Sequence, residues 1–284
     1  MAHTFDPFTV HSVIAGHFGL DGGVAFGVVP RALWGQEIEP DEMGRIQLVS
    51  RVFVVDHGDR RVLIDAGTGQ AWDPKPRQMY RIEEGPDLRT CLVGAGIDPE
   101  TITDVVISHL HWDHCGGLVQ GSEGDATLTF PKATHHVQRR NWKWAHNPSE
   151  YDRRAYRAST LELLEASGRL HFIEGQTELL EGIHLIPSEG HTVGQQLVRI
   201  AGESETLLYC GDAIPTAAHL RSAWGLAYDL YPLTLIEEKK QLLAEALEES
   251  AVLLFAHDPR LCACTVEEVE GKVQIRERME LGSA

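Results

Sequence analysis

The sequence predicts an α/β fold in which mixed β-sheets are layered against helices. Short apolar runs typical of strands recur along the chain, and segments with helical spacing separate several of them. No internal repeat, low-complexity tract or Pro/Ser-rich linker divides the 284 residues. Strand clusters flanked by helices are typical of layered α/β proteins, so we expect a single domain over residues 1–284.

The clearest strands are RVFVVDHG at 51–58 and RVLIDAG at 61–67. The Gly58-Asp59 pair between them is typical of a hairpin turn, so we expect a β-hairpin. Apolar β-rich runs predict further strands, the first of them in the segment that leads into His109. These strands are expected at 104–109, 133–138, 182–191, 196–201, 205–212 and 251–258.

Three helices are predicted between the strands. The first covers Leu88 to Gly94, with Gly94 or Gly96 as its stop. The second covers Glu150 to Gly168 and the third Leu233 to Ser250. In the third, leucines recur at helical spacing opposite Glu and Lys, which indicates one buried face.

Composition and charge narrow the possible partners. The chain is 43% hydrophobic and 24% charged, as globular proteins are, which excludes a disordered or coiled-coil chain. Its 25 Lys and Arg against 42 Asp and Glu give a net charge of −17, which disfavours nucleic acid and anionic lipid as partners. No apolar run approaches the ~20 residues of a membrane span, and no leader is visible. Five cysteines, an odd number, predict a reducing cytoplasm.

The segment SHLHWDHCGG at 108–117 predicts a metal site. It places His109, His111, Asp113 and His114 within six positions, directly after an apolar strand. Imidazole and carboxylate groups are the ligands of Zn²⁺ and related transition metals. The alternative, that adjacent imidazoles cluster without a metal, is disfavoured because they would repel one another on protonation.

Three later strands also end in a potential ligand, namely His191, Asp212 and His257. If the strands are neighbours, their ends converge on one edge of the fold. A hydrogen-bonding role for either His, or a turn or helix-cap role for Asp212, is the alternative. Five His and two Asp exceed the four donors of a closed zinc site. Two divalent metal ions that share a carboxylate and hold a water between them account for all seven.

Other polar residues are weaker candidates. Asp65 in LIDAG either orients a ligand His by hydrogen bonding or occupies a turn. Cys262 and Cys264 alternate as on a strand, so their thiols would point apart and serve structure. Cys115, and the pair His135-His136 within a predicted strand, are expected to pack rather than bind metal.

The string HLHWDH at 109–114 resembles the HxHxDH motif of the metallo-β-lactamase superfamily. The later ligands fall where that superfamily keeps its own, so the resemblance covers most of the chain. It implies a four-layered αββα sandwich with two mixed β-sheets and the metals at the sheet edge. It also implies ligand sets, with one metal held by His109, His111 and His191, the second by Asp113, His114 and His257, and Asp212 bridging.

The resemblance also bears on the reaction. His111 at the second motif position favours the hydrolytic branch over the flavo-di-iron branch, which usually has a carboxylate there. Residues 20–34 and 211–240 are similar to quorum-quenching N-acyl-homoserine lactonases, a subgroup near methyl-parathion-hydrolase-type phosphotriesterases. This implies attack of a metal-bridging hydroxide on the lactone carbonyl, with Asp113 or Asp212 passing a proton to the leaving alkoxide. Zinc is the expected metal, although iron, cobalt or manganese suit the same donors.

One position departs from that subgroup. The best-known lactonases have a Tyr three residues after the bridging Asp, where this chain has Pro215. His219 and Tyr228 are our candidates to replace it. The two similar segments also supply candidates for an acyl-chain groove, each of which has a core or dimer contact as its alternative. These candidates are Phe26, Val28, Trp34, Trp224, Tyr228 and Tyr231.

Two questions stay open at the level of sequence. The long Gly/Pro-containing loop 20–45 either covers the site or contacts a second subunit, so a homodimer is one alternative. The same dimetal centre would also serve a phosphotriesterase, another ester or thioester hydrolase, or a β-lactamase. A non-catalytic metal-binding or sensing module is a further alternative, which the number of ligands disfavours because seven donors around two metals leave positions open.

Overall fold

The computed structural model describes residues 2–121 and 125–281. The strands in this part of the chain are, in order, β1 (His3–Phe5), β2 (Phe8–Asp21), β3 (Arg45–His57), β4 (Arg60–Ile64), β5 (Asp104–Val106), β6 (Val119–Gln120), β7 (Thr127–Leu128), β8 (Thr134–Gln138), β9 (Leu170–Ile173), β10 (Thr177–Leu180), β11 (Ile183–Ser188), β12 (Gln195–Ala201), β13 (Thr206–Tyr209), β14 (Val252–Leu254), β15 (Ala263–Val269) and β16 (Lys272–Met279). The α-helices are α1 (Gly22–Phe26), α2 (Arg31–Trp34), α3 (Pro74–Met79), α4 (Leu88–Gly94), α5 (Trp112–Cys115), α6 (Arg139–His146), α7 (Ala158–Ala166) and α8 (Pro232–Glu249).

Two large mixed sheets organise these elements. The first has seven strands in the order β1-β2-β3-β4-β5-β8-β9, and the second has seven in the order β10-β11-β12-β13-β14-β15-β16. In the first sheet, β4, β5, β8 and β9 run parallel to one another, whereas β1 to β4 pair antiparallel. In the second sheet only β13 and β14 are parallel.

The sheets pack face to face and helices cover their outer faces. One buried cluster joins residues of both sheets, including Phe53 and Val106 from the first and Leu185 and Val198 from the second. A second cluster packs α4, α6 and α7 on the outer face of the first sheet, and a third packs α8 on the second sheet. This arrangement confirms the predicted four-layered αββα sandwich. Each layer buries an apolar face that it could not bury alone.

Several predicted elements are confirmed, and the differences have physical reasons. Helix α4 and helix α8 match their predictions closely, and the hairpin of β3 and β4 forms, although β3 begins at Arg45, ahead of the predicted start at 51. The helix predicted from Glu150 is wrong in its first half, because α7 begins only at Ala158. The Asp152 carboxylate instead accepts hydrogen bonds from the Ser149 hydroxyl and the Trp144 indole, which holds an irregular turn.

Other differences affect the loops around the site. Residues 20–45, expected as one long loop, contain the end of β2 and the two short helices α1 and α2. The strands expected to run into His191, Asp212 and His257 end earlier, at Ser188, Tyr209 and Leu254. These three side chains therefore lie on the loops beyond the strands.

The single domain over residues 1–284 stays a prediction, because residues 1, 122–124 and 282–284 lie outside the described part. Within the described residues, the helices are all too short or too polar to cross a bilayer.

The layer between the sheets should dominate the stability of the fold. Phe53 is fully buried there, and its ring meets that of Tyr209 edge-on at 5.6 Å. Phe53→Ala should lower the free energy of unfolding by ~3–5 kcal/mol, because it removes buried area and leaves a cavity. Urea unfolding checks this, with Leu233→Ala as the control, since Leu233 is 78% exposed and its truncation should change stability by less than ~0.5 kcal/mol.

Candidate metal centre

The ligand-rich loop leaves the first sheet at the end of β5 and closes into the single turn of α5. Two glycines after it allow the turn to approach the loop that follows β4. A Cβ on Gly116 would lie 2.2 Å from the Thr68 carbonyl oxygen, and one on Gly117 would lie 2.0 Å from that of Ala66. The Gly-Gly pair that ends the motif is therefore a steric requirement of the site.

The first of two side-chain clusters contains His109, His111, His191 and Asp212. All four are buried, and their nearest donor atoms lie within 4.8 Å of one another. His111 Nδ1 is 3.0 Å from His109 Nε2 and 3.1 Å from His191 Nε2. Three imidazoles from two separate loops therefore point their ring nitrogens at one small volume. We call these four residues the first cluster.

The second cluster contains Asp113, His114, Asp212 and His257, also buried and also with donor atoms within 4.8 Å. His114 Nε2 and His257 Nε2 are 3.0 Å apart, and Asp113 Oδ2 lies 3.6 Å from His257 Nε2. The members come from α5 and from the loops after β13 and β14. Elements of both sheets therefore supply it.

Asp212 belongs to both clusters and divides its oxygens between them. Its Oδ1 lies 3.2 Å from His114 Nε2 and 3.1 Å from His257 Nε2. Its Oδ2 lies 3.4 Å from His191 Nε2 and 3.9 Å from His109 Nε2. The carboxylate thus presents one oxygen to each cluster, which is the geometry that a bridging ligand requires.

Asp65 anchors the second cluster from behind. One of its oxygens accepts from the Ser108 backbone N–H at 2.7 Å, and the other accepts from His114 Nδ1 at 2.7 Å and from the Tyr209 hydroxyl at 2.5 Å. The backbone of Asp65 has φ of 60°, a left-handed conformation that disfavours a side chain. Such strain persists where surrounding contacts hold it, as these hydrogen bonds do.

Hydrogen bonds also orient His191 and His257 directly. His191 Nδ1 donates to Asp229 Oδ1 at 2.9 Å, and His257 Nδ1 donates to the Val49 carbonyl at 2.8 Å. Metal-binding imidazoles usually donate their second N–H to a carboxylate or carbonyl, which fixes the tautomer and the ring orientation. His191 and His257 therefore face their clusters through a nitrogen that carries a lone pair when the ring is neutral.

The donor set fits divalent cations. The inward nitrogens of His114 and His257 approach to 3.0 Å although both rings use their protons elsewhere, so neutral rings would set two lone pairs against each other. Asp212 Oδ1, fully buried, has no hydrogen-bond partner among the described residues. A cation between these atoms satisfies all of them at once, and imidazole with carboxylate is a donor set suited to zinc.

Burial acts on the pKa values of the histidines in one direction and the carboxylates act in the other. At His114 and His191 burial is outweighed by the neighbouring carboxylates, which raise the pKa of both. Burial, followed by the neighbouring imidazoles, lowers the pKa of His109 and His111 well below the ordinary value, so both stay neutral as ligands must. Burial opposes ionisation of Asp212, but the imidazoles of His114 and His257 outweigh it and hold its pKa well below the usual range. Asp212 is therefore a buried carboxylate anion, and a bound cation would stabilise it.

A narrow, mainly apolar pocket opens onto the second cluster. Its cavity volume is about 10 Å³, room for about one water molecule, and it reaches Asp113, Asp212 and His257. Asp113 is the most exposed of the seven candidate ligands, at 8%. The remaining lining residues are Phe18, Leu20, Ala25, Ile46, Leu48, Pro215, Thr216, His219, Leu226 and Tyr228.

Two predicted substrate-binding residues, His219 and Tyr228, line this pocket and differ in their hydrogen bonding. Both ring nitrogens of His219 are engaged, with the Thr216 hydroxyl at 2.8 Å and the Ala25 carbonyl at 2.9 Å. Tyr228 packs beside the first cluster, its ring 5.7 Å from that of His191, and its hydroxyl has no hydrogen-bond partner among the described residues. Tyr228 is thus the freer of the two to contact a ligand.

The other predicted substrate-binding residues lie further away. Phe26 is fully buried, stacked between Trp34 at 5.5 Å and His219 at 4.9 Å, and Trp224 meets it edge-on. These rings form the wall behind the pocket. Tyr231, 47% exposed, directly precedes α8, and Val28 is 94% exposed. A role for these residues in binding stays a prediction.

The weaker sequence candidates are also located. Asp65 contacts His114, as the hydrogen-bonding interpretation of LIDAG predicts. Cys262 belongs to the core between the sheets and Cys264 to the core under α8, so the thiols do face opposite sides. His136 binds Asp104 at 2.8 Å, away from both clusters, and His135 is buried in the first sheet.

Sequence reasoning missed the partners of the ligands. Asp229 lies in an irregular loop with no apolar strand before it, so the signal that marks the other residues is absent. Tyr209 ends β13 three residues before Asp212 and has the pattern of an ordinary strand residue. Among the partners of the ligands, only Asp65 has a recognisable signal in the sequence, because its LIDAG motif ends the second strand of the predicted hairpin.

Comparison with known proteins identifies the family. The sequence profile of the metallo-β-lactamase superfamily matches residues 45–257, a span that includes all seven candidate ligands. The chain belongs to the metallo-β-lactamase superfamily. The family predicted from HLHWDH is therefore confirmed.

Individual members of the superfamily resemble the chain at low identity. An N-acyl homoserine lactonase from Bacillus sp. is 29% identical over 181 residues, which cover 63% of this chain and 65% of that lactonase, a little less than two thirds of its length. N-acyl homoserine lactonase AttM of Azorhizobium caulinodans is 27% identical over 73% of this chain and 81% of its own. The crystal structure of a "probable metal-dependent hydrolase" from Staphylococcus aureus superposes with a TM-score of 0.88 at 26% identity, covering 98% of this chain and 100% of that one.

The Asp65 network predicts a specific effect on metal affinity. In Asp65→Asn, one oxygen becomes an N–H donor that faces donors, so His114 loses its fixed orientation. We expect the affinity for one metal ion to fall about 10–100-fold. Competition with a chelating dye measures it, and Asp56→Asn, which removes a carboxylate paired with Arg61 on β4, is the control. Unchanged affinity in Asp65→Asn would remove Asp65 from the support of the centre.

Proposed function

We propose that this protein is a dinuclear metal-dependent hydrolase that opens the lactone ring of N-acyl-homoserine lactones. The observation that carries the proposal is the Asp212 carboxylate, which offers one oxygen to each of two buried clusters at the base of an apolar pocket. The relatives named N-acyl homoserine lactonases support the choice of substrate.

The first cluster would hold one cation through His109, His111 and His191, and the second would hold another through Asp113, His114 and His257, with Asp212 shared. Zinc is our first choice because the donors are imidazole and carboxylate. When bound, such a pair of cations supplies Lewis acidity and lowers the pKa of water toward neutrality.

The chain's own residues would then orient the substrate and handle protons. Asp113, which reaches the pocket and is the most exposed of the candidate ligands, is placed to take up the proton released by the attacking water and to return it to the leaving alkoxide oxygen. In the place of the Tyr absent at Pro215, the Tyr228 hydroxyl would donate a hydrogen bond to the substrate carbonyl. Burial, with the charges of Asp212 and Asp113, raises the pKa of Tyr228 well above its ordinary value, so the donor proton is retained.

The apolar wall of the pocket accounts for the acyl chain. Phe18, Leu20, Leu48 and Leu226 line it, so a hydrocarbon chain that enters as the pocket widens would leave water on binding. Displacement of water from the pocket also strengthens the electrostatic interactions at its base.

We also propose that the protein acts in the cytoplasm and forms a homodimer. All five cysteines are free thiols in the structure, which supports the cytoplasm as the site of action. A homodimer remains our proposal for the assembly, with the exposed apolar side chains Val28 and Leu33 on the 20–45 segment as its contact surface.

A substrate panel on protein of known metal content tests the function. We expect two metal ions per chain and hydrolysis of acyl-homoserine lactones, faster than hydrolysis of paraoxon, a glutathione thioester or a penicillin-type β-lactam. Removal of the metals with a chelator should abolish turnover, and zinc should restore it. Asp212→Ala should lose both metal and turnover. Faster hydrolysis of paraoxon would instead support a phosphotriesterase, and a metal-loaded protein with no turnover would support a sensing module.

Tyr228→Phe tests the carbonyl donor. Removal of a hydrogen bond that strengthens in the transition state should lower kcat by about 100-fold with little change in KM. Tyr151→Phe is the control, because its hydroxyl contacts the Ala227 carbonyl on the same loop but lies outside the pocket. An unchanged kcat in Tyr228→Phe would mean that the pocket polarises the carbonyl without this hydroxyl.

A further inference from the structure

Two adjacent residues of α8 hold the loops that carry His191 and its partner. The helix begins at Pro232, and its first turn passes directly under the His191 loop. A Cβ on Gly190 would lie 2.4 Å from the Leu235 Cα, so only glycine permits this approach. The loop before His191 is thus in backbone contact with the helix.

Glu238, one turn further along, binds three donors of that loop. Its carboxylate accepts from the Ser188 hydroxyl at 2.7 Å, from the Glu189 backbone N–H at 2.7 Å and from the Gly190 backbone N–H at 3.1 Å. A charged acceptor makes stronger hydrogen bonds than a neutral one. The position of the peptide that precedes His191 therefore depends on one side chain.

Lys239 binds the backbone of the loop that carries Asp229. Its ammonium, 1% exposed, donates to the Arg221 carbonyl at 3.1 Å and to the Trp224 carbonyl at 2.5 Å. Burial lowers the pKa of Lys239 to about 7, against the attraction of the Asp229 carboxylate. Burial of an ammonium group costs free energy even where two carbonyl oxygens accept its hydrogen bonds, which indicates that Lys239 has a specific role.

The two loops are also joined to each other. The Leu230 N–H donates to the His191 carbonyl at 3.0 Å, and the Tyr231 N–H donates to the Gly190 carbonyl at 2.9 Å. Together with the bond from His191 Nδ1 to Asp229, these contacts make one unit of both loops. The second cluster is held directly by Asp65 beyond β4 and by the Val49 carbonyl on β3. Asp65 also reaches His109 of the first cluster through the Ser108 hydroxyl, which lies 2.7 Å from Asp65 Oδ2 and 3.1 Å from His109 Nδ1.

We propose that Glu238 and Lys239 are positioning residues for the first cluster alone, through which α8 sets the affinity of the metal held by His109, His111 and His191. The inference rests on the proposed metal centre. It implies that the helix behind the second sheet supports one metal through His191, whereas the strands of the first sheet support the other through His114 and His257.

The test compares each residue with its neighbour on the same helix. Glu238→Gln keeps one acceptor oxygen but leaves a backbone N–H without a partner, and Lys239→Met removes both carbonyl contacts. Glu237→Gln and Lys240→Met are matched controls, since those two side chains are exposed and pair with each other. Metal content after dialysis, and zinc affinity of the apoprotein by competition with a chelating dye, are the readouts. Circular dichroism melting of each apoprotein checks the fold.

We expect the affinity for one of the two metals to fall 10–100-fold in Glu238→Gln and about tenfold in Lys239→Met, with both controls unchanged. Addition of His257→Ala to Glu238→Gln identifies the metal, because His257 belongs to the second cluster alone. If the two substitutions act on different clusters, the double variant is weakened at both sites. If Glu238 acts on the second cluster, the double variant retains one tight site, which overturns the inference.

Other outcomes are equally decisive. Two tight sites in Glu238→Gln, or equal loss from both, overturns the inference while the proposed function stands. Wild-type protein that binds no metal contradicts the proposed function itself. If apo Glu238→Gln does not fold, Ser188→Ala removes one hydrogen bond of the same contact and is judged by the same criteria.

Discussion

The arrangement around Asp212 is the interaction on which the rest of the structure depends. A buried carboxylate needs hydrogen-bond donors or positive charge around it, and here the nitrogens of four imidazoles from three separate segments lie 3.1 to 3.9 Å from the oxygens of Asp212. Each imidazole is oriented by a hydrogen bond from its far side or by close packing. The two sheets therefore do more than bury apolar area, because their edges bring these segments to within a few ångströms of one oxygen pair.

Much of this could be predicted from the sequence, for identifiable reasons. Ligand residues follow apolar strands, and a strand end fixes the place of the next residue in space, so the pattern alone is enough to single out His191, Asp212 and His257. A single histidine can be a metal ligand or an ordinary hydrogen-bonding residue, whereas four potential ligands within the six residues from His109 to His114 indicate a metal site. The layer architecture follows from the same alternation of strands and helices.

The parts that could not be predicted depend on contacts between distant segments. Asp229 supports His191 from 38 residues away, and the Val49 carbonyl supports His257 across 208. No local pattern marks such residues, since a loop aspartate or a strand carbonyl looks the same whether or not a histidine meets it. The helix predicted from Glu150 failed for a related reason, because Asp152 finds better partners in the folded chain than helical spacing alone can reveal.

The spacing of the ligands along the chain has a consequence for biosynthesis. The first lies at position 109 and the last at 257, on opposite sides of the point where the second sheet begins. A nascent chain that has not reached residue 257 cannot complete the second cluster, so the proposed pair of cations would bind only after that residue has left the ribosome. Binding of the proposed pair would then be confined to the completed fold. The free energy of metal binding would add to that of folding, and a scarcity of metal in the cell would lower the conformational stability of the protein.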